Sequence, residues 1–191
     1  MTRFPRIALL LALALTSLRA EAYHPQWSTA LMQRMSGTRL FHHADFNGDG
    51  WPDFLAHSTA RLNLALFNPN GTFDPYVTIY TGTSVSDTTT AEVTGDGKVD
   101  LIVADTATNT ITVVPSNGDG TFATPIINNL TITPTQFARG DYNGDGKVDL
   151  AVRSHTAALL VVYAGDGAGH FTELARRGTA SSLYRIVAGD I

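Results

Sequence analysis

The chain has 191 residues, 43% of them hydrophobic and 16% charged, with a formal net charge of −4 and no cysteine. That length and apolar content suit one domain of ordinary size with its own core, and the acidic balance argues against a nucleic-acid partner. Without disulfides, stability has to come from core packing, bound metal or the stacking of repeats.

Arg3 and Arg6 give the chain a positive start, Ile7 to Leu15 is an unbroken apolar run, and Ala20-Glu21-Ala22 places small residues where a signal peptidase cleaves. Residues 1–22 therefore read as a secretory signal, cleaved after Ala22, and the expected location is secreted or at the cell surface. The apolar run is shorter than the about 20 residues a membrane-spanning helix needs, so no stable membrane insertion is expected. Residues 23–44 read as a partial blade or linker, with Trp27 standing 18 residues ahead of Asp45.

Asp45-Phe46-Asn47-Gly48-Asp49-Gly50-Trp51-Pro52-Asp53 puts oxygen-bearing side chains at alternate places of a sharply turning, glycine-containing stretch. Calcium is a hard cation that takes several oxygens at about 2.3–2.6 Å, and such a loop can aim every second residue inward. Asp45, Asn47, Asp49 and Asp53 would offer side-chain oxygens and Trp51 its backbone carbonyl. The pattern recurs with Glu92, Thr94, Asp96, Lys98 and Asp100, and again with Asp141, Asn143, Asp145, Lys147 and Asp149. In the second copy Glu92 is longer than aspartate and Thr94 is a poorer ligand than asparagine, so weaker binding is expected there.

The first residues of the copies lie 47 and 49 apart, which defines repeats at 45–91, 92–140 and 141–189, with 190–191 beginning a fourth. After each loop comes a short apolar run, then a second one, at Leu62 to Phe67, Ile111 to Val114 and Leu159 to Tyr163. Their length, branched residues and flanking Gly, Asn, Asp and Thr mark strands rather than helices. Leu159-Leu160-Val161-Val162 does not alternate, and burial on both faces is expected for it. Asn-Gly or Asp-Gly turns ending in Phe73, Phe122 and Phe171 follow, then a third strand, and a fourth such as Gln136 to Gly140 leads into the next loop.

Four short antiparallel strands recurring at this period predict an all-β protein made of β-propeller blades. The Asp-Xaa-Asn-Gly-Asp-Gly-Lys-Val-Asp-Leu loop, together with the Asn-Gly-Asp-Gly-Thr-Phe turn, resembles the FG-GAP or VCBS repeats of integrin-alpha-like propellers. The resemblance implies a calcium ion in the hairpin loop between the first two strands of each blade, and a closed ring, often of seven blades. About three and a half repeats fit in this sequence, so a fragment of such a ring is expected, with open blade edges that favour self-association.

EF-hand and dockerin loops open with similar spacing but need an acidic twelfth residue and flanking helices, whereas Ala56, Val103 and Val152 stand there. Arg139-Gly140-Asp141 spells a tripeptide that some integrins bind, on a strand entering a loop rather than at a loop tip. His24, His42, His43, His57, His155 and His170 fall at unmatched places in the repeat, and there is no nucleophile elbow, phosphate loop or zinc-protease motif. The expected function is that of an exported, non-catalytic, calcium-binding propeller module for recognition or adhesion, its partner an extracellular protein or glycan. Two alternatives stay open: the propeller part of a secreted carbohydrate- or lipid-active enzyme, and a lectin-like propeller using exposed aromatics such as Trp51 and Tyr142.

Overall fold

The computed structural model describes residues 39–57, 60–179 and 186. The expectations for the signal segment, for Trp27 and for a fourth loop at Asp190 lie outside those residues. Twelve strands form three four-stranded sheets in simple sequence order. The first holds β1 (Arg39–Ala44), β2 (Asp53–His57), β3 (Arg61–Ala65) and β4 (Val77–Thr81); the second holds β5 (Val85–Ala91), β6 (Asp100–Asp105), β7 (Thr110–Val114) and β8 (Ile126–Asn129). The third holds β9 (Gln136–Gly140), β10 (Asp149–Ser154), β11 (Leu159–Gly165) and β12 (Phe171–Gly178). All neighbours are antiparallel, and no helix occurs among the described residues.

Each loop closes a hairpin, with Ala44 opposite Asp53, Ala91 opposite Asp100 and Gly140 opposite Asp149. A sheet thus begins one strand ahead of its loop, and the sequence repeat counted from the loop is out of phase with the sheet by that strand. Gln136–Gly140, last in the repeat at 92–140, is the first strand of the third sheet.

The first strands of successive sheets lie side by side: β5 touches β1 on one side and β9 on the other. The His42 ring is hydrogen-bonded to the Thr88 carbonyl, and the Phe137 N–H donates to Asp87 Oδ2 at 3.0 Å. The fourth strands β4 and β12 are the exposed outer edges.

The middle sheet is covered on both faces. Leu101, Val103 and Val114 pack with Leu55 and Leu62 of the first sheet, while Ile102, Ala104, Ile111 and Val113 pack with Leu150, Val152 and Val161 of the third. Every residue of β6 and β7 is accordingly buried, Thr110 and Thr112 included. The same reading of Leu159–Val162 does not hold: in β11 Val161, Tyr163 and Gly165 are buried, while Leu160, Val162 and Ala164 are only half-covered. Two-sided burial needs a sheet on each side, and among the described residues none packs on the outer face of the third.

Candidate functional site

In the first and third loops the first, third and fifth residues form a surface cluster bound to the loop's own backbone. Asp45 accepts from the Gly48 N–H at 2.7 Å through Oδ1 and from the Gly50 N–H at 2.8 Å through Oδ2. Asn47 Oδ1 takes the Asp49 N–H, Asp49 Oδ1 takes the Trp51 N–H at 2.8 Å, and the Asn47 amide lies 3.1 Å from Asp49 Oδ2. The third loop repeats this: Asp141 holds Gly144 and Gly146, Asn143 holds Asp145, Asp145 holds Lys147, and the Asn143 amide is 3.2 Å from Asp145 Oδ2. Backbone N–H groups, that of Gly146 foremost, keep the Asp141 carboxyl below its ordinary pKa against a smaller opposing effect of desolvation.

The ninth residue belongs to a different place. Asp53, Asp100 and Asp149 have no solvent exposure, and both oxygens of each are spent on backbone N–H groups. Asp53 takes those of Phe46 and Phe67, Asp100 those of Val93 and Ser116, and Asp149 those of Tyr142 and Gly165, at 2.8–3.1 Å. The ninth aspartate therefore clamps the start of the loop to the end of the third strand of the same sheet or the segment just beyond it. Burial raises the Asp53 pKa, the two N–H bonds pull it back, and the carboxylates of Asp49 and Asp45 push it further up.

The second loop departs from its neighbours. Glu92 Oε1 takes the N–H groups of Thr94 and Gly95, but the Thr94 hydroxyl turns inward and donates to Asp100 Oδ2 at 2.9 Å. Asp96 is ion-paired with Lys98 at 3.6 Å. At the seventh place Trp51 packs on Phe67, ring centroids 5.8 Å apart, whereas Lys98 and Lys147 are exposed.

Among the described residues no group of three or more His, Cys, Asp or Glu side chains is gathered at metal-site spacing. The donor chemistry of the first and third loops nonetheless fits a hard cation. Each offers two carboxylates and an amide within one short loop, and none of Asp45, Asp49, Asp141 or Asp145 has an ion-pair partner among the described residues. In the second loop Lys98 and Asp100 already engage two of the groups that would have to serve.

The turns ahead of β8 and β12 dock on the loop of the preceding sheet. The Gly120 N–H donates to the Phe46 carbonyl and the Gly169 N–H to the Val93 carbonyl, both at 2.8 Å. Gly48 and Gly95 sit beneath these turns with φ of 76° and 81°, and a Cβ there would lie 3.2 and 3.0 Å from the carbonyl oxygens of Gly118 and Gly167. Left-handed backbone and close approach together demand glycine at both.

The second position of the loop is the residue this docking covers, and the motif does not reveal its importance. Phe46 is fully buried and Val93 is 4% exposed, but Tyr142 is 40% exposed, with no turn docked on its loop among the described residues. Beside Val93 lies a cavity of about 270 Å³ between the second and third sheets, bordered by Glu92, Lys147, Asp166, His170 and Phe171. His170, one of six histidines without a common place in the repeat, thus borders a pocket. Comparing the three copies column by column at the second position is the signal that could have located it.

Ordered four-stranded sheets, joined first strand to first strand and latched loop to turn, define a β-propeller repeat protein. The sequence profile of the FG-GAP-like repeat matches residues 45–103 and 92–152, more than half of the chain, and the chain belongs to that family. No curated protein matches it. Among solved structures it is similar to a lectin of Agrocybe aegerita, described for specific recognition of non-reducing terminal N-acetylglucosamine, with 22% identity and a TM-score of 0.54 over 76% of this chain and 39% of that one. It is also similar to the Tc holotoxin pore of Photorhabdus luminescens, with 19% identity and a TM-score of 0.50 over 80% of this chain and 7% of that one. The chain thus spans well under half of either relative, and the likeness is one of fold. No helix among the described residues is long and apolar enough to cross a membrane.

Proposed function

We propose that the chain is the blade-forming part of an exported recognition protein, a propeller whose first and third loops bind calcium and which engages a protein or glycan outside the cell. The observation that carries this reading is the pair of surface loops that bring Asp45, Asn47 and Asp49, and Asp141, Asn143 and Asp145, together on their own backbone N–H groups with no ion-pair partner among the described residues. Bound calcium would relieve the repulsion within each cluster and tie down the loop on which the following blade docks. Asp45, Asn47 and Asp49 would hold it in the first loop, and Asp141, Asn143 and Asp145 in the third, with the carbonyls of Trp51 and Lys147 as further oxygens. Glu92, Thr94 and Asp96 would bind more weakly.

Export is supported by the N-terminal 22 residues, and extracellular calcium near a millimolar would fill sites with Kd of about 10⁻⁴ to 10⁻³ M. Recognition rather than catalysis is supported by the absence of a catalytic motif and by loops carried at the rim of a packed strand scaffold. The test is a thermal melt of the full chain in calcium and in chelator. A higher Tm in calcium is expected, and identical melts would reject the calcium reading.

A further inference from the structure

We propose that the cavity between the second and third sheets is a binding site for one neutral, hydroxyl-rich ring, the size of a single sugar residue. This rests on the recognition reading above and gives it a ligand class and a place. The two seams between sheets share one plan and differ in what fills them. At the first, the Phe46 ring is fully buried and lies 5.7 Å from the Phe122 ring, so protein occupies the space. At the second, Val93 stands where Phe46 would be and Phe171 where Phe122 would be, and about 270 Å³ is left open beside them. That is close to the lower end of ligand pockets, about 300 Å³.

The walls of this space are of two kinds. The half-buried Phe171 ring, with Val93 almost wholly buried beneath it, gives an apolar surface for the C–H face of a ring, and the Asn128 side chain holds Phe171 in place by accepting its N–H at 2.9 Å. Around them stand two carboxylates, Glu92 and Asp166, and two donors, Lys147 and His170. Each carboxylate is anchored through one oxygen: Glu92 Oε1 on the N–H groups of Thr94 and Gly95, Asp166 Oδ1 on those of Ala168 and His170. The second oxygen of each takes no hydrogen bond among the described residues.

A hydroxyl donates to a carboxylate and accepts from an ammonium or an imidazole, so a set of fixed acceptors interleaved with donors matches several hydroxyls on one small ring. The carboxylate pair disfavours an anionic ligand, and the Lys147 ammonium offsets one of its two charges. At the first seam Asn117 and Thr121 stand in place of Asp166 and His170, so that seam lacks this carboxylate and imidazole as well as the space.

The test is ligand-observed NMR on the full chain with a panel of methyl glycosides, with methylammonium and acetate as charged controls. One glycoside should saturate with a Kd of about a millimolar, as suits a ligand of roughly a dozen heavy atoms, and neither control should displace it. Val93→Phe, which rebuilds the first seam, should weaken binding by at least about tenfold, and Asp166→Asn, which keeps the turn's hydrogen bonds, by about tenfold. Should Val93→Phe fail to melt cooperatively, Asp166→Asn decides alone. Failure of every glycoside to saturate, or displacement by a control, overturns the ligand class. Saturable binding unchanged in the variants overturns the placement and leaves the recognition reading standing, while the calcium reading is judged separately by the melts.

Discussion

Within each loop the first and the ninth residues are both acidic and have opposite surroundings. Asp45 and Asp141 are exposed and bonded only to N–H groups a few residues ahead, whereas Asp53, Asp100 and Asp149 are fully buried and join two separate segments of a sheet. In the nine-residue motif these residues read as one ligand set. The fold divides them into an outer half at the surface and an inner half whose oxygens are bonded to the backbone N–H groups of two separate segments.

The largest expected effect breaks the inner half. Asp100→Ala leaves the buried N–H groups of Val93 and Ser116 and the Thr94 hydroxyl without an acceptor, which should cost about 4 kcal/mol. That approaches the whole stability of a typical domain, so the urea midpoint should fall steeply, equally in calcium and in chelator. A loss confined to calcium would show that the clamp is a ligand first.

Asp105 tests whether a buried carboxylate clamp needs a metal loop at all, since it uses the same device between strands and loops elsewhere in the second blade. Its oxygens take the N–H groups of Thr83, Ser84 and Ala107, and Asp105→Asn should cost about 2 kcal/mol at neutral pH. Burial works to raise its pKa, but the N–H groups of Ser84, Thr83 and Ala107 prevail and hold it below the ordinary 3.8. A carboxyl with a depressed folded pKa contributes stability that is present above the unfolded value and lost as pH falls through the folded one. The difference between parent and variant should therefore be full above pH 3.8 and shrink below it, as denaturant titrations across that range would reveal.

A smaller effect is expected in the outer half. Asp145→Ala should remove the calcium-dependent gain of the third loop, about 1.4 kcal/mol for a site of Kd about 10⁻⁴ M in millimolar calcium, and should shift the chelator melt little. The smallest effect comes from rebuilding the second loop. Glu92→Asp with Thr94→Asn should raise calcium affinity by less than about tenfold, because Lys98 still pairs with Asp96 and the Thr94 bond to Asp100 is given up. Calorimetry that finds three equal sites in the parent chain would erase the distinction between the loops.

The strands, their antiparallel order and the glycine turns were legible in the sequence because each depends on neighbours a few residues away. Branched apolar runs, turn dipeptides and a period close to 49 specify hairpins locally. The clamp was not legible, since an aspartate at the ninth place looks the same whether its oxygens face a cation or the Phe67 and Ser116 N–H groups sixteen or fewer residues further on. The burial of β11 was misread for a related reason: Leu159–Val162 resembles Leu101–Val103, and only the sheet beyond it differs.

The sequence by itself determined that this is an all-β repeat protein with three loops rich in oxygen donors, because periodicity and turn chemistry are properties of the chain alone. Tertiary structure decided which of those donors stay at the surface, which β-strands are covered on both faces, and which seam is filled. Those outcomes depend on what packs alongside: Phe46 against Phe122 closes one seam, and Val93 beside Phe171 leaves the other open.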